Sequence, residues 1–448
     1  MKVTEANIVV KLKILSKKNH YVYSLLRLVK IGFLILLKSP YFLTAIPSVV
    51  LLRLLKFVVV IRFGNLDASI AFGGFWSPEL YLSEKDLGLQ KKGAVDIFYS
   101  VGPLKFQTLA KKWKSLIRFY PESDLLEMIH RINQWIPGYE DHVIVFETSH
   151  PYILNYKLSL LKTLSLFERP AHLAARGSSG RESLMKTEPH ITFTMEEETI
   201  AKEIFQKIKL PDNYQYICFH VRDSAYKLEI IPDRDWNYHN YRDSDINACL
   251  PMAETLAQRE YFLVRMGAKV EKPLDTNSPR IIDYASNYQS ELMDLYIGSK
   301  CWFFVCGACG ITTIPIVFRK PIVLLNLIPM DAPITGTEYD LFLPKKLWLR
   351  KEKRFLTFRE IFESKIIEYD NTKDYEDSGI EVIDNSSEEI KDVVLEMEAR
   401  LLGVWSETEE EMELQQKFKQ ILNNCKMENN IMSRIGTKFL QKNVELLY

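Results

Sequence analysis

Short apolar runs bounded by glycine, proline, asparagine or charge recur through the second half of the chain. They predict strands over 214–221, 261–266, 280–283, 301–305 and 321–326. Helical patterns fall between them, at 245–259, up to 298, and over 311–318. Ser244 or Asp245 stands where the first of these needs an N-cap. Strand–helix–strand alternation at this spacing predicts a parallel, doubly wound α/β sheet. The first half reads less regularly. A β-branched run over 56–62, stopped by Gly64 and Asn65, predicts a first strand, followed by strands at 94–100 and 142–146. Helices are expected over 104–118, 122–135, 154–167 and 195–209, and a loop over 174–181. The pattern divides into two α/β domains, 57–205 and 206–365, with a basic apolar segment over 1–56 and a tail over 366–448. In that tail, 366–385 is acidic, poor in periodicity and expected to be a loop. Ser386 and Glu389 then have capping-box spacing and open a helix to about 402, with a second helix over 407–422.

Composition changes the picture only at the N-terminus. The 448 residues balance 58 Lys and Arg against 58 Asp and Glu, so bulk charge gives no reason to expect nucleic-acid binding. Residues 1–62, however, hold eleven basic residues and one acid, Glu5. The longest charge-free run there, 39–52, contains Pro40 and Pro47 and is too short for a span of roughly 20 residues. A basic, apolar, proline-broken segment fits contact with an anionic membrane surface better than a spanning helix. A pair of ordinary core helices is the alternative. Six cysteines in a chain this long make no disulfide framework, and several lie in apolar runs, which suits buried thiols in a reducing compartment.

In an open α/β sheet, ligands bind beyond the carboxyl ends of the strands. There the sequence places His220, Arg222 and Asp223; Arg265 and Gly267; Asp283 and Tyr284; and Cys306-Gly-Ala-Cys-Gly-Ile-Thr-Thr, which leads into a helix. Amides of a glycine-rich turn (Gly307, Gly310, Ile311, Thr312) and an arginine fork suit a diphosphate. An acid further along suits ribose hydroxyls. Gly307 and Gly310 could equally close a tight turn, and Arg222 could be an ordinary ion-pair residue. Cys306 and Cys309 have redox or zinc spacing, but with no second pair and no histidine nearby in sequence a packed turn is expected. Asp233/Asp235 and Asp243/Asp245 have the Asp-x-Asp form used by metal-dependent sugar transferases. No strand precedes them, so no metal is expected and 241–245 is read as a loop beside the substrate that leads into a helix cap.

Several stretches resemble a family of bacterial glycosyltransferases associated with surface-polysaccharide synthesis, such as capsule and lipopolysaccharide. They are Phe219-His-Val-Arg-Asp223, Tyr241-Arg-Asp-Ser-Asp-Ile246, Arg265-Met-Gly267, Ile282-Asp-Tyr-Ala285, Phe318-Arg-Lys-Pro-Ile-Val323 with Asn326, and Arg434-Ile-Gly with Phe439-Leu440. His220-x-Arg222 is more distantly similar to the phosphate motif of metal-independent fucosyltransferases with two Rossmann-like domains. The resemblance implies a GT-B-like fold with an acceptor-facing first domain and a nucleotide-sugar-binding second domain. It departs at one point: before Glu79-Leu-Tyr-Leu82, where the family carries an Arg-Ile-Gly-His-like element, this chain reads Ser69-Ile-Ala-Phe-Gly-Gly74.

The expectation is therefore a glycosyltransferase moving a sugar from a nucleoside-diphosphate sugar to a glycan or lipid-linked acceptor, with no cofactor. Arg222, with Arg242 beside it, would stabilise the departing diphosphate. His220, Asp223, Tyr241, Asp243, Arg265, Gly267, Asp283, Tyr284 and the 307–312 turn would line the nucleotide site. Asp67 and Glu79 are the candidates, by position, for a general base. The enzyme would lie in the cytoplasm, peripheral on the inner face of the membrane. The competing readings are a sugar-nucleotide epimerase or hydrolase on the same plan, and a non-catalytic assembly protein that kept the fold.

Overall fold

A computed structural model describes residues 41, 43–66, 77–100, 104–144, 179–211, 214–230, 235–330, 337–425 and 433–448. Asp67, Asp233, the expected helix over 154–167, the 69–74 departure and the basic stretch before residue 41 lie outside the described residues.

The first sheet is built from three parallel strands, β1 (Ile61–Asn65), β2 (Val95–Tyr99) and β3 (Phe119–Tyr120), in that order. Val143 adds a parallel bridge to Phe63. Helix α1 (43–55) precedes β1. Helices α2 (Ser77–Asp86), α3 (Gln107–Leu116) and α4 (Asp124–Asn133) connect and flank the strands, and α4 starts where Ser123 accepts from the Leu126 N–H. The strand expected over 56–62 is displaced. Residues 56–58 form the turn that ends α1, with Phe57 91% and Val58 86% exposed, and pairing begins only at Ile61. Helix α5 (Met195–Lys207) carries a complete capping box, Thr194 with Glu197, and leads to the second sheet.

That second sheet orders its seven strands as β13-β9-β8-β7-β4-β5-β6. The strands are β4 (Tyr216–His220), β5 (Phe262–Arg265), β6 (Ile281–Ile282), β7 (Phe304–Gly307), β8 (Ile322–Leu327), β9 (Leu341–Pro344) and β13 (Arg434–Ile435). Every pairing is parallel. Because both faces are covered, the central strands are almost wholly buried, which is why they read as continuous apolar runs. Helices α6 (Leu250–Gln258), α7 (Glu291–Lys300) and α8 (Thr313–Val317) fill the crossovers. Chain order runs β4, β5, β6 to one side and then returns to place β7 on the other side of β4. This is the Rossmann order, and its switch point falls between β4 and β7.

The expected loop over 366–385 is structured. Strands β10 (Lys346–Leu349), β11 (Arg354–Phe355) and β12 (Ile380–Ile383) form a small antiparallel sheet, preceded at β12 by a helix, Thr372–Asp377. Tyr375 and Ile380 anchor this segment in the core. A reciprocal pair of hydrogen bonds holds it to β8: Asn326 N–H donates to Asn385 Oδ1 at 2.7 Å and Asn385 N–H to Asn326 Oδ1 at 2.6 Å. Asn326 has positive φ, which asparagine tolerates, at the register shift of the β8–β9 ladder. Helices α9 (Ser387–Leu401) and α10 (Glu409–Asn424), each opened by a capping box, close the core.

Three polar clamps join the two sheets' layers. Glu291, in the first turn of α7, accepts from the Thr108 and Leu109 N–H groups at 3.0 and 2.9 Å, capping the start of α3. Lys112 bonds Thr192 O and Glu197, both at 2.7 Å. Arg319, just past α8, reaches Glu79, Ser83 and the Leu184 carbonyl.

Candidate functional site at the strand-order switch

The switch point brings together what the sequence holds far apart. His220 ends β4 and pairs in register with Cys306 of β7, so the loop after β4 and the corner after β7 lie side by side. Around them stand two buried cations and a half-buried one. Arg222 is only 8% exposed; its Nη1 donates to the His239 carbonyl at 3.2 Å and forms an ion pair with Asp243. Arg242 donates from Nη2 to the Ala308 carbonyl, and its Nε is buried without a hydrogen-bond partner. Lys345, 4% exposed just past β9, donates to the carbonyls of Tyr241 and Asp243 at 2.9 and 2.8 Å and pairs with Asp384 at 2.7 Å.

These cations feel one another. Burial lowers the Arg222 pKa to about 10, with repulsion from Arg242 adding to it, while Cys309 and Tyr241 act the other way. Burial likewise lowers Lys345, with repulsion from both arginines, against the pull of Asp384. Arg222, Arg242 and Lys345 thus form one cluster beside the Gly307–Gly310 corner. Nothing in the sequence reading singled out Lys345. Its signal was a lysine inside the apolar 341–349 stretch.

The corner itself is tightly tied. Thr312 Oγ1 donates to the Gly307 carbonyl at 2.9 Å and accepts from the Cys309 N–H at 3.2 Å. The expected helix over 311–318 begins as a 3-10 turn, Gly310–Thr312, and continues as the five-residue α8. Cys309 is half-buried. Although no histidine is near it in sequence, the parallel register sets His220 opposite Cys306 in the same corner, and the His220 Nδ1–H donates to the Met266 carbonyl at 2.9 Å. Gly267 makes this possible. Its φ of +148° is one L residues rarely adopt, and a Cβ there would stand 2.9 Å from Val270 Cγ1 and 3.3 Å from His220 Nδ1.

The other candidates serve as braces. Asp223 accepts from Ala225 N–H and Glu271 N–H, both at 3.0 Å, fastening two loops beside the switch. Tyr241 is buried against Tyr375, which carries the 366–385 segment onto the site. Arg265 is 2% exposed and donates to the Lys272 carbonyl at 2.7 Å and to Asp283 at 3.4 Å. Asp283 also accepts from Leu274 N–H at 2.9 Å and from the Ser286 hydroxyl at 2.7 Å, so the partners expected of a ribose are supplied by the chain. Tyr284 is fully buried; its hydroxyl donates toward Asp294 Oδ1 at 3.0 Å and accepts from Ser290 N–H at 2.9 Å. Burial raises Asp294 to about 7, against the hydrogen bonds from Gln289 and Tyr284.

Glu79 is 0% exposed. Its Oε1 holds Arg319 Nη2 at 2.8 Å and His190 Nδ1 at 3.0 Å, and the His190 N–H bonds the same carboxylate. A carboxylate so enclosed cannot reach an acceptor hydroxyl without breaking the joint between the two halves. Among the described residues no three His, Cys, Asp or Glu side chains are grouped to hold a metal, and Asp243 and Asp245 diverge: Asp243 faces Arg222, whereas Asp245 caps the turn at Asn247 and pairs with Lys272.

No protein-family model matches this sequence, and no curated protein matches it. Among solved structures, the chain is similar to an ADP-heptose lipopolysaccharide heptosyltransferase II from E. coli, with 13% identity over 59% of this chain and 84% of that one, TM-score 0.33. It is similar to a family 9 glycosyl transferase from Veillonella parvula, with 13% identity over 59% and 80%, TM-score 0.32. A UDP-GlcNAc 2-epimerase from Neisseria meningitidis matches with 12% identity over 76% and 100%, TM-score 0.31. Likenesses at these scores carry no weight for activity. What defines the class is the molecule's own architecture: an α/β protein with parallel sheets, whose larger sheet has Rossmann order and a cationic switch point.

Proposed function

We propose that the protein is a glycosyltransferase that takes its sugar from a nucleoside-diphosphate sugar held at the β4–β7 switch. The observation that carries this reading is the cluster of buried Arg222 and Lys345 with half-buried Arg242, where a Rossmann-order sheet places its ligand. As the glycosidic bond breaks, charge builds on the β-phosphate. Arg222 would then exchange its internal counter-ion, Asp243, for a phosphate oxygen, and Arg242 would add a second fork. Lys345, fixed by two carbonyls, would hold the arginine-bearing loop at this spacing. Asp67 remains the candidate base, and Glu79 holds the domain joint.

The acceptor side of the proposal is a glycan or lipid-linked sugar at an anionic membrane. Support comes from α1, whose Ala45, Val49 and Leu52 pack inward while Leu43, Ile46, Val50, Leu51 and Leu54 remain exposed, followed by exposed Phe57 and Val58. No helix of the described residues is long and apolar enough to cross a membrane, so the contact would be interfacial. Arg53 and Lys56 are taken up by the protein, at Asn133 and Asp141. The anionic-lipid contacts would therefore come from basic residues before position 41. A second reading, epimerisation or hydrolysis of the nucleotide sugar without acceptor, is favoured by the enclosure of Glu79, which removes one of two candidate bases.

The test is a thermal-shift panel of UDP, GDP, dTDP, ADP and CMP, followed by turnover of the matching sugar nucleotides with and without acceptor. A cognate nucleotide at 100-fold its Kd should stabilise by about 2.7 kcal/mol. Arg222→Ala should lower turnover by about 10²–10³-fold. Arg222→Lys, which keeps a cation opposite Asp243, should keep the fold with most of that loss. Turnover unchanged in both variants overturns the assignment; turnover without acceptor selects the second reading.

A further inference from the structure

The 3-10 turn Asn237–Arg242 carries much of what holds Arg222 at the switch: the His239 carbonyl, and the Asp243 carboxylate directly after the turn. It ends on Arg242, whose Nη2 reaches the Ala308 carbonyl. A 3-10 turn is weak by itself, because its hydrogen bonds have poor geometry. Trp236, at its N-cap position, supplies no side-chain cap. What steadies the turn comes from far along the chain.

Thr372 opens the short helix Thr372–Asp377. That helix is capped by Asn371, whose Oδ1 accepts from the Lys373 N–H at 3.0 Å. The Thr372 hydroxyl has no part in this cap. It crosses to the turn instead, donating to the Asn237 carbonyl at 2.9 Å and accepting from the Tyr241 N–H at 3.2 Å. These two groups belong to residues four apart, a pair that bonds directly in an α-helix. The hydroxyl stands between them, an insertion of the kind that bends helical turns. Lys345 Nζ meanwhile holds the Tyr241 and Asp243 carbonyls at 2.9 and 2.8 Å. The Tyr241 ring packs on Tyr375 of the short helix, with centroids 5.2 Å apart. Tyr241 is thus gripped through its N–H, its carbonyl and its ring, and Arg242 and Asp243 follow it directly.

We propose that Thr372 is a positioning residue of the donor site: its hydroxyl sets the turn that presents Arg242 and Asp243 to Arg222, and so fixes the spacing of the cations that take a diphosphate. The diphosphate part of this role rests on the donor-site reading; the setting of the turn does not. Without the hydroxyl, the Asn237 carbonyl and the Tyr241 N–H must close on each other or turn to water. Either change moves 241–243 relative to Lys345 and draws Arg242 away from the Ala308 carbonyl. The role belongs to the oxygen of Thr372 and not to its methyl group.

The experiment compares Thr372→Val, which keeps the shape and removes the oxygen, with Thr372→Ser, which keeps the oxygen. Hydrogen exchange of the 237–243 peptide, followed by mass spectrometry on the full chain without nucleotide, reads the turn. Losing this neutral pair of hydrogen bonds should speed exchange by about tenfold in Thr372→Val, with Thr372→Ser within about twofold of the unmodified chain. Titration with UDP, GDP, dTDP and ADP reads the site. The nucleoside diphosphate that binds the unmodified chain should bind Thr372→Val about tenfold more weakly, and Thr372→Ser should restore the affinity. In turnover, Thr372→Val should raise KM for the donor and leave KM for the acceptor unchanged, a split that general loosening of the fold would not give. Equal exchange in Thr372→Val and the unmodified chain overturns the proposal. So does Thr372→Ser behaving like Thr372→Val, or a faster-exchanging turn with unchanged diphosphate affinity. Should Thr372→Val fail to fold, Thr372→Ala takes its place with the same expected outcomes. An unmodified chain that binds none of the four nucleotides refutes the donor-site reading, and the exchange rates then decide alone whether Thr372 sets the turn.

Discussion

Replacing Glu79 with Gln asks whether this carboxylate serves chemistry or the joint between the two sheets. The substitution keeps the shape and removes one charge. On the structure, the loss strands Arg319, whose side chain is 13% exposed, and leaves His190 with one carboxylate partner, Asp86 at 3.0 Å, in place of two. Breaking a buried ion pair by removing one partner costs roughly 3–5 kcal/mol. Arg319 keeps the carbonyls of Leu184 and Val317 and the hydroxyls of Ser83 and Thr187 as acceptors, which places the expected cost near the lower end, about 3 kcal/mol. Urea unfolding followed by fluorescence measures it, alongside Arg319→Met and the double variant. Because the two side chains share one interaction, the double variant should lose less than the sum of the singles. His190 supplies a second readout. Its pKa is raised, first by the hydrogen bond to Glu79, against burial. The native state therefore holds this proton more tightly than the unfolded chain. The stabilisation is full below the ordinary histidine range and fades as pH rises through the raised value. Glu79→Gln should flatten that dependence and bring the His190 titration, followed by NMR, back toward 6.5. A variant that unfolds at the unmodified midpoint yet loses sugar transfer would refute this reasoning and return Glu79 to the reacting centre.

Asp294, raised to about 7 by burial, binds its proton more tightly in the native state, so stability should fall as pH rises from about 4 to 7; Asp294→Asn should remove a loss of roughly 2–4 kcal/mol, read as the difference between the two chains' unfolding midpoints at pH 5 and 8.5. Gly267→Ala should cost about 1–3 kcal/mol, read by urea unfolding, because the new Cβ meets Val270 and the His220 ring at a left-handed φ. Glu291→Ala removes the cap from α3 and should cost about 1 kcal/mol, with faster hydrogen exchange at Thr108 and Leu109.

The second sheet was legible because parallel strands covered on both faces are apolar almost throughout, as 216–219 and 322–325 are. Legibility failed where one face is wet or the anchors are few. The 56–62 run has strand composition, but α1 ends inside it and exposes Phe57 and Val58. The 366–385 stretch carries only Tyr375 and Ile380 into the core, too sparse a pattern for periodicity to register. At the switch, the strand-order rule set the loop after β4 beside the corner after β7, since it depends only on order. It could not tell a ligand-facing polar group from a brace. Asp223, Arg265 and Asp283 satisfy one another's loops through backbone groups of Glu271, Lys272 and Leu274, and such partners leave no mark in the sequence. His220 and Cys306 are 86 positions apart in the numbering, and only the β4–β7 register joins them.

The charge arrangement at the switch separates an anion site from a merely tolerated ion-pair network. Three cations are set against two carboxylates, Asp243 and Asp384, and much of their satisfaction comes from main-chain carbonyls of His239, Ala308, Tyr241 and Asp243. A carbonyl positions a cation without cancelling its charge. Burial lowers both Arg222 and Lys345, and the neighbouring cations add to it. A network selected only for stability would place a carboxylate at each cation, because mutual repulsion in a buried setting works against folding. On the proposed reading, repulsion held in place by backbone geometry would be relieved by a multivalent anion, and a diphosphate bridging the two arginines would do so where a Rossmann-order sheet places its ligand.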